Sequence, residues 1–197
     1  YAFSLFISAL LLFWMEPMFA KMILPLLGGA PSVWNTCIVF YQTLLLLGYV
    51  YAHVTTKWLG LRWQAALHVL LLLLVFVTLP VGVARGWTPP LSSNPVPWLF
   101  LLLLISVGLP FFALSATAPL LQKWFAFTVH PSAKDPYFLY SASNLGSLIG
   151  LLGYPLLIEA HFSLPLQAKT WSVSYILLTG MISACAIMAL KSSRIWM

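Results

Sequence analysis

Residues 2–54 read AFSLFISALLLFWMEPMFAKMILPLLGGAPSVWNTCIVFYQTLLLLGYVYAHV, two long apolar runs joined by GGAPS at 28–32. Crossing the hydrocarbon of a bilayer takes roughly 20 apolar residues in a helix. Glycine and proline between the runs punctuate the chain. The stretch is therefore expected to be a helical hairpin in lipid, where an isolated strand edge would leave its backbone groups unpaired.

The rest of the chain repeats the pattern. Of its 197 residues, 62% are hydrophobic and only 6% charged, and the mean hydropathy is +0.99. Soluble domains carry about 25% charged residues to wet their surface, so a soluble fold is excluded. Six apolar segments separate at Pro, Gly and charged residues, at 2–27, 33–54, 63–84, 97–126, 136–158 and 170–190. The reading is an all-α integral membrane protein, one six-helix domain over 1–197, with no room for a soluble catalytic domain. Residues 1–15 resemble a signal h-region but lack a basic n-region and run on to Leu27, so they read as a retained first span. The start at Tyr1 and the end at Met197 fit a processed or partial chain. Pro110 and Pro119 are expected to distort the fourth span, and the Pro-rich connection at 85–97 reads as a surface loop.

The net charge of +6 forms no basic stripe of the kind that binds nucleic acid, so no nucleic-acid partner is expected. Six spans place both termini on one side together with Lys57, Arg62, Lys123, Lys134, Lys191 and Arg194, against Lys21, Arg85 and Lys169 opposite. The positive-inside bias makes the first side cytoplasmic. Trp14, Trp34, Trp58, Trp63, Trp87, Trp98, Trp124, Trp171 and Trp196 fall mostly near the expected span ends and read as interfacial anchors. Cys37 and Cys185 read as small buried hydrophobes.

Glu16 stands out, because a carboxylate near mid-span costs about 2.5–3.5 kcal/mol on insertion scales. Its neighbours on its own helix, Leu12, Phe13, Phe19 and Ala20, are apolar. Two roles follow: a proton or cation site facing the bundle, or a structural pin hydrogen-bonded to Asn35, Gln42 or Asn144. Lys21 reads as an interfacial anchor that snorkels to the headgroups. In the fifth span, Ala142, Gly146 and Gly150 recur every four residues, a groove for close helix packing, with Ser143, Asn144 and Ser147 beside it. The four histidines form no metal cluster. His68 alone lies well within a span; it is a weak candidate for axial ligation of a haem or pigment metal, and hydrogen bonding to a neighbour is its default reading. Beyond bound lipid, no cofactor is expected. No GxGxxG, GxxxxGK, HExxH or GxSxG occurs, and the three acids fall in separate regions, so no enzymatic activity is expected.

The segment EPMFAKMILPLLGGAPSVWNTCIVFYQTLLLLGYVYAH at 16–53 resembles the membrane region of the bacterial fused major-facilitator/spermidine-synthase-like family. SATAPLLQKWFA at 115–126 and DPYFLYSASNLGSLIGLLGYPLLIE at 135–159 resemble later parts of that region. The resemblance implies half of a major-facilitator fold in a bacterial inner membrane, to which a soluble aminopropyltransferase-like domain can be joined. That domain's nucleoside-binding turn and catalytic acids have no counterparts here. Gly60 and Arg62 stand where the facilitator loop motif falls, with His53 near the place of its aspartate.

Three functions are consistent with this reading. One is a non-enzymatic subunit packed against other membrane subunits or a second copy of itself. Another is a homodimeric half-size transporter of a small solute or cation. The third is the membrane anchor of a spermidine-synthase-like enzyme.

Overall fold

The structure is a computed structural model and describes residues 1–83, 86–90 and 94–193. Arg85, Arg194 and Trp196, used above for topology and anchor assignments, and residues 91–93 of the Pro-rich connection lie outside the described residues. Those residues form an all-helical fold with six helices long and apolar enough to cross a membrane: α1 (Ala2–Leu27), α2 (Pro31–Trp58), α3 (Leu61–Thr78), α4 (Pro95–Ala126), α5 (Tyr137–His161) and α6 (Leu164–Ser192).

Local chemistry sets the ends. Gly28 closes α1 with φ 69°, a left-handed conformation that glycine adopts without a Cβ clash. Pro31 then opens α2 at its first position, where the missing N–H is one that would be unpaired anyway. The helix runs to Trp58, four residues past the expected limit. α3 stops at Thr78 instead of 84, because Pro80 cannot continue a helix and pushes Leu79 to extended backbone (ψ 147°). Asn94 caps α4, its Oδ1 accepting the Val96 N–H at 3.0 Å. α6 begins at Leu164, earlier than 170, since Pro165 sits harmlessly in its first turn. Wide π-type turns interrupt α4 at Leu104–Gly108, just before Pro110, and α5 at Tyr154–Ile158, around Pro155. Each lies where proline removes a ladder donor, whereas Pro119 is carried inside regular helix.

α1 and α4 form the centre. In their most apolar stretches 56% and 67% of residues are buried, against 33% for α2, 28% for α3, 17% for α5 and 39% for α6. α1 packs chiefly on α5 and α4 chiefly on α2; α1 also meets α4 and α6, α4 meets α3 and α6, and α3 meets α6. Exchanging α1 with α4, α2 with α5 and α3 with α6 preserves the two chief pairings, α1 on α5 and α4 on α2, but not the α4–α6 contact, which has no α1–α3 counterpart of similar extent. Glycines mark the two peripheral contacts. A side chain at Gly48 of α2 would meet Ser115 of α4, whose Cβ is 2.9 Å from the added carbon, and one at Gly150 of α5 would meet the Leu10 carbonyl of α1 at 2.9 Å.

Hydrogen bonds tie the outer helices to their neighbours. Trp171 donates its indole N–H to the Leu11 carbonyl (2.9 Å), and the Tyr175 hydroxyl reaches the Leu72 carbonyl (3.3 Å). Trp124, Trp171 and Trp14 are core residues, at 0%, 0% and 6% exposure, which corrects their reading as interfacial anchors. Trp124 and Trp171 face inward because their N–H groups find acceptors inside the bundle. Trp58 and Trp63, at 75% and 74% exposure, do sit at helix ends. Cys37 and Cys185 are buried and free.

Candidate functional site

Glu16 is half-buried on α1 and makes no hydrogen bond or ion pair among the described residues. Asn35, Gln42 and Asn144 are all exposed, and none of them bonds to it. That corrects the pin. The reason is helical phase: α2 turns Val33, Cys37, Phe40, Tyr41, Leu44 and Gly48 inward, which leaves Asn35 and Gln42 on its outer face. Tyr41 of α2 lies within electrostatic reach of Glu16, and its buried hydroxyl has no hydrogen-bond partner among the described residues.

Lys21 does not simply snorkel. It forms an ion pair with Glu159, in the last turns of α5, with the two side chains 42% and 37% exposed. The pair closes one end of the α1–α5 seam. Towards the other end, Gly146 and Gly150 lie directly against the α1 backbone at Phe6 and Leu10. Ala142 is half-buried one turn earlier, and the Ser147 hydroxyl bonds back to the Ser143 carbonyl at 3.0 Å.

Beside this seam a cavity of about 220 Å³ opens where α1, α2, α4 and α5 meet. Its polar wall consists of Ser8, Tyr49, Ser115, Ser143, Asn144 and Ser147. Glu16 lies one turn beyond the lining residues Leu12 and Phe13 on the same face of α1. The Ser115 hydroxyl bonds the Phe112 carbonyl at 2.8 Å and reaches across to the Leu44 carbonyl at 3.3 Å. Asn144 makes no side-chain hydrogen bond among the described residues. Such a wall offers hydroxyl and amide groups to a ligand or a partner helix but holds no nucleophile with an adjacent base.

A second polar group joins α2, α3 and α4. His68 is fully buried and its Nε2 lies 3.2 Å from the Thr117 hydroxyl. One turn earlier, Gln64 donates to the Thr55 and Thr56 hydroxyls (3.2 and 2.7 Å) and accepts the Trp124 indole N–H at 3.1 Å. Sequence reasoning treated His68 alone and missed Gln64 with its bonds to α2 and α4. Its signal was the four-residue spacing of Gln64 and His68, which puts two polar side chains on one face of an apolar helix. Among the described residues, no group of three or more His, Cys, Asp or Glu side chains is placed to hold a metal ion.

Comparison of the chain with family models, with curated proteins and with solved structures gave no significant match.

Proposed function

We propose that the chain is a non-enzymatic integral membrane unit whose α1/α2/α4/α5 face packs against a partner, either another membrane subunit or a second copy of itself. The observation that carries this is the polar cavity on that face. Its exposed Asn144 and the nearby Glu16 have no hydrogen-bond partner among the described residues, and an unpaired amide in hydrocarbon is costly. A covering helix with its own donors and acceptors removes that cost. The exchange of the two chief pairings, α1 on α5 and α4 on α2, is what inverted three-helix repeats within half of a major-facilitator transporter would give. It supports the resemblance to a half-facilitator. The excess of Lys and Arg on the side of both termini supports a cytoplasmic position for them, and the resemblance supports a bacterial inner membrane.

Native mass spectrometry of the unit purified in mild detergent tests this reading. Association with itself or with another polypeptide is expected, and disulfide capture through Asn144→Cys should follow the same interface. A lone monomer that captures nothing through that position would refute it.

A second reading, a half-size transporter of a small solute or cation, is favoured by the lone acid Glu16 beside the cavity. It predicts that Glu16→Gln abolishes uptake into vesicles while leaving assembly intact.

A further inference from the structure

At the end of the bundle where α2 turns into α3 and α4 turns towards α5, residues 60–63 and 126–134 enclose an open groove of about 990 Å³. Ligand clefts usually measure roughly 300–1,000 Å³, so it has room for a headgroup and the start of its chains. Arg62, His130 and Lys134 line it, and no acidic residue does. Neither Arg62 nor Lys134 is paired with an acid, since Lys21–Glu159 is the one ion pair among the described residues. We propose that this groove binds the phosphate headgroup of an anionic phospholipid.

The groove combines charge with an apolar wall. Trp63 and Phe127 line it and are 74% and 41% exposed, an arrangement suited to the boundary between headgroups and acyl chains. Lys123 adds a further cation, its ammonium 5.4 Å from the Phe127 ring centre. Basic pockets between transmembrane helices at headgroup depth are sites where anionic lipids dwell. The walls are also held in place. The Val129 N–H bonds the Ser192 hydroxyl at 3.1 Å, tying the α4–α5 connection to α6, and the His130 ring packs on Phe125 at 5.5 Å. His130 Nδ1 accepts the Ser132 N–H at 3.2 Å, which leaves Nε2 as the ring's donor. Gly60 caps α3 without a side-chain hydrogen bond, so first-turn N–H groups add to the donors.

The inference rests on the membrane reading only in placing these helix ends at headgroup depth, and it is independent of the partner-docking face. Native mass spectrometry of the full chain in neutral detergent, with phosphatidylglycerol or phosphatidylcholine added at equal concentration, tests it. The wild type should retain phosphatidylglycerol with about a tenfold preference. The double substitution Arg62→Ala/Lys134→Ala should abolish the preference. Arg62→Lys/Lys134→Arg should keep most of it, and Lys169→Ala, on another turn of the bundle, all of it. Equal retention of the two lipids by the wild type, or an unchanged preference in the double-alanine variant, overturns the proposal. Displacement of the lipid by millimolar inorganic phosphate also overturns it, in favour of a free-anion site. If the double variant does not fold, Lys134→Ala alone and a salt titration of the wild type decide: a preference insensitive to both overturns it. Partner or self-association is read from the protein masses in the same spectra, so failure of the docking reading is distinguished from failure of lipid binding.

Discussion

The carbonyl of Phe6 occupies the space that a side chain at Gly146 would need, across the seam between α1 and α5. The obstacle is backbone, which cannot swing aside as the tip of a side chain would. Gly146→Ala is therefore expected to destabilise the protein by about 1–3 kcal/mol, the usual cost of overpacking. Gly150→Ala should follow in the same direction, its added carbon 2.9 Å from the Leu10 carbonyl. Gly153, where the nearest atom is 3.9 Å away, serves as the control: alanine there should be neutral or gain up to about 1 kcal/mol of helix propensity. Thermal unfolding in a fixed detergent compares the three.

Thr117→Val keeps the shape of the side chain and removes the hydroxyl that faces His68 Nε2. It leaves a buried ring nitrogen unpaired, at an expected cost of about 1–3 kcal/mol. Thr43→Val removes only an exposed hydroxyl bonded to its own helix at the Val39 carbonyl, and should stay within about 0.5 kcal/mol. Equal effects of the two substitutions in a melting experiment would contradict the His68–Thr117 bond.

Glu16→Gln should leave the melting temperature unchanged or raise it, because Glu16 has no hydrogen bond or ion pair to lose among the described residues and a half-buried potential charge is removed. A marked drop in stability would restore the pin.

For Lys21 and Glu159, a double-mutant cycle with Lys21→Met and Glu159→Gln should return a coupling of about 0.2–1 kcal/mol, as for exposed pairs. Raising the ionic strength should shrink it. A coupling insensitive to salt would place the pair in a drier setting than its exposure indicates.

Composition and run length alone identified the six apolar helices, since crossing hydrocarbon is a matter of length and polarity that each segment satisfies by itself. Their limits were legible to within a few residues, and the two largest misses lay at prolines whose effect depends on position: Pro80 ended α3, while Pro165 opened α6. Gly146 and Gly150 were visible as a groove, but nothing local named Phe6 and Leu10 as what fills it. Likewise Glu16 was conspicuous, yet its expected partners Asn35 and Gln42 turned out to lie on the outer face of α2. Helices apolar on every side carry no stripe that points inward, so the sequence cannot say which faces meet. Only the tertiary structure decided that Trp124 and Trp171 are core, that Lys21 meets Glu159, and that Gln64 and His68 find hydrogen-bond partners on neighbouring helices. Those contacts join residues far apart in the chain, and they exist because close approach and hydrogen bonding between helices, rather than the pattern within one helix, select the arrangement.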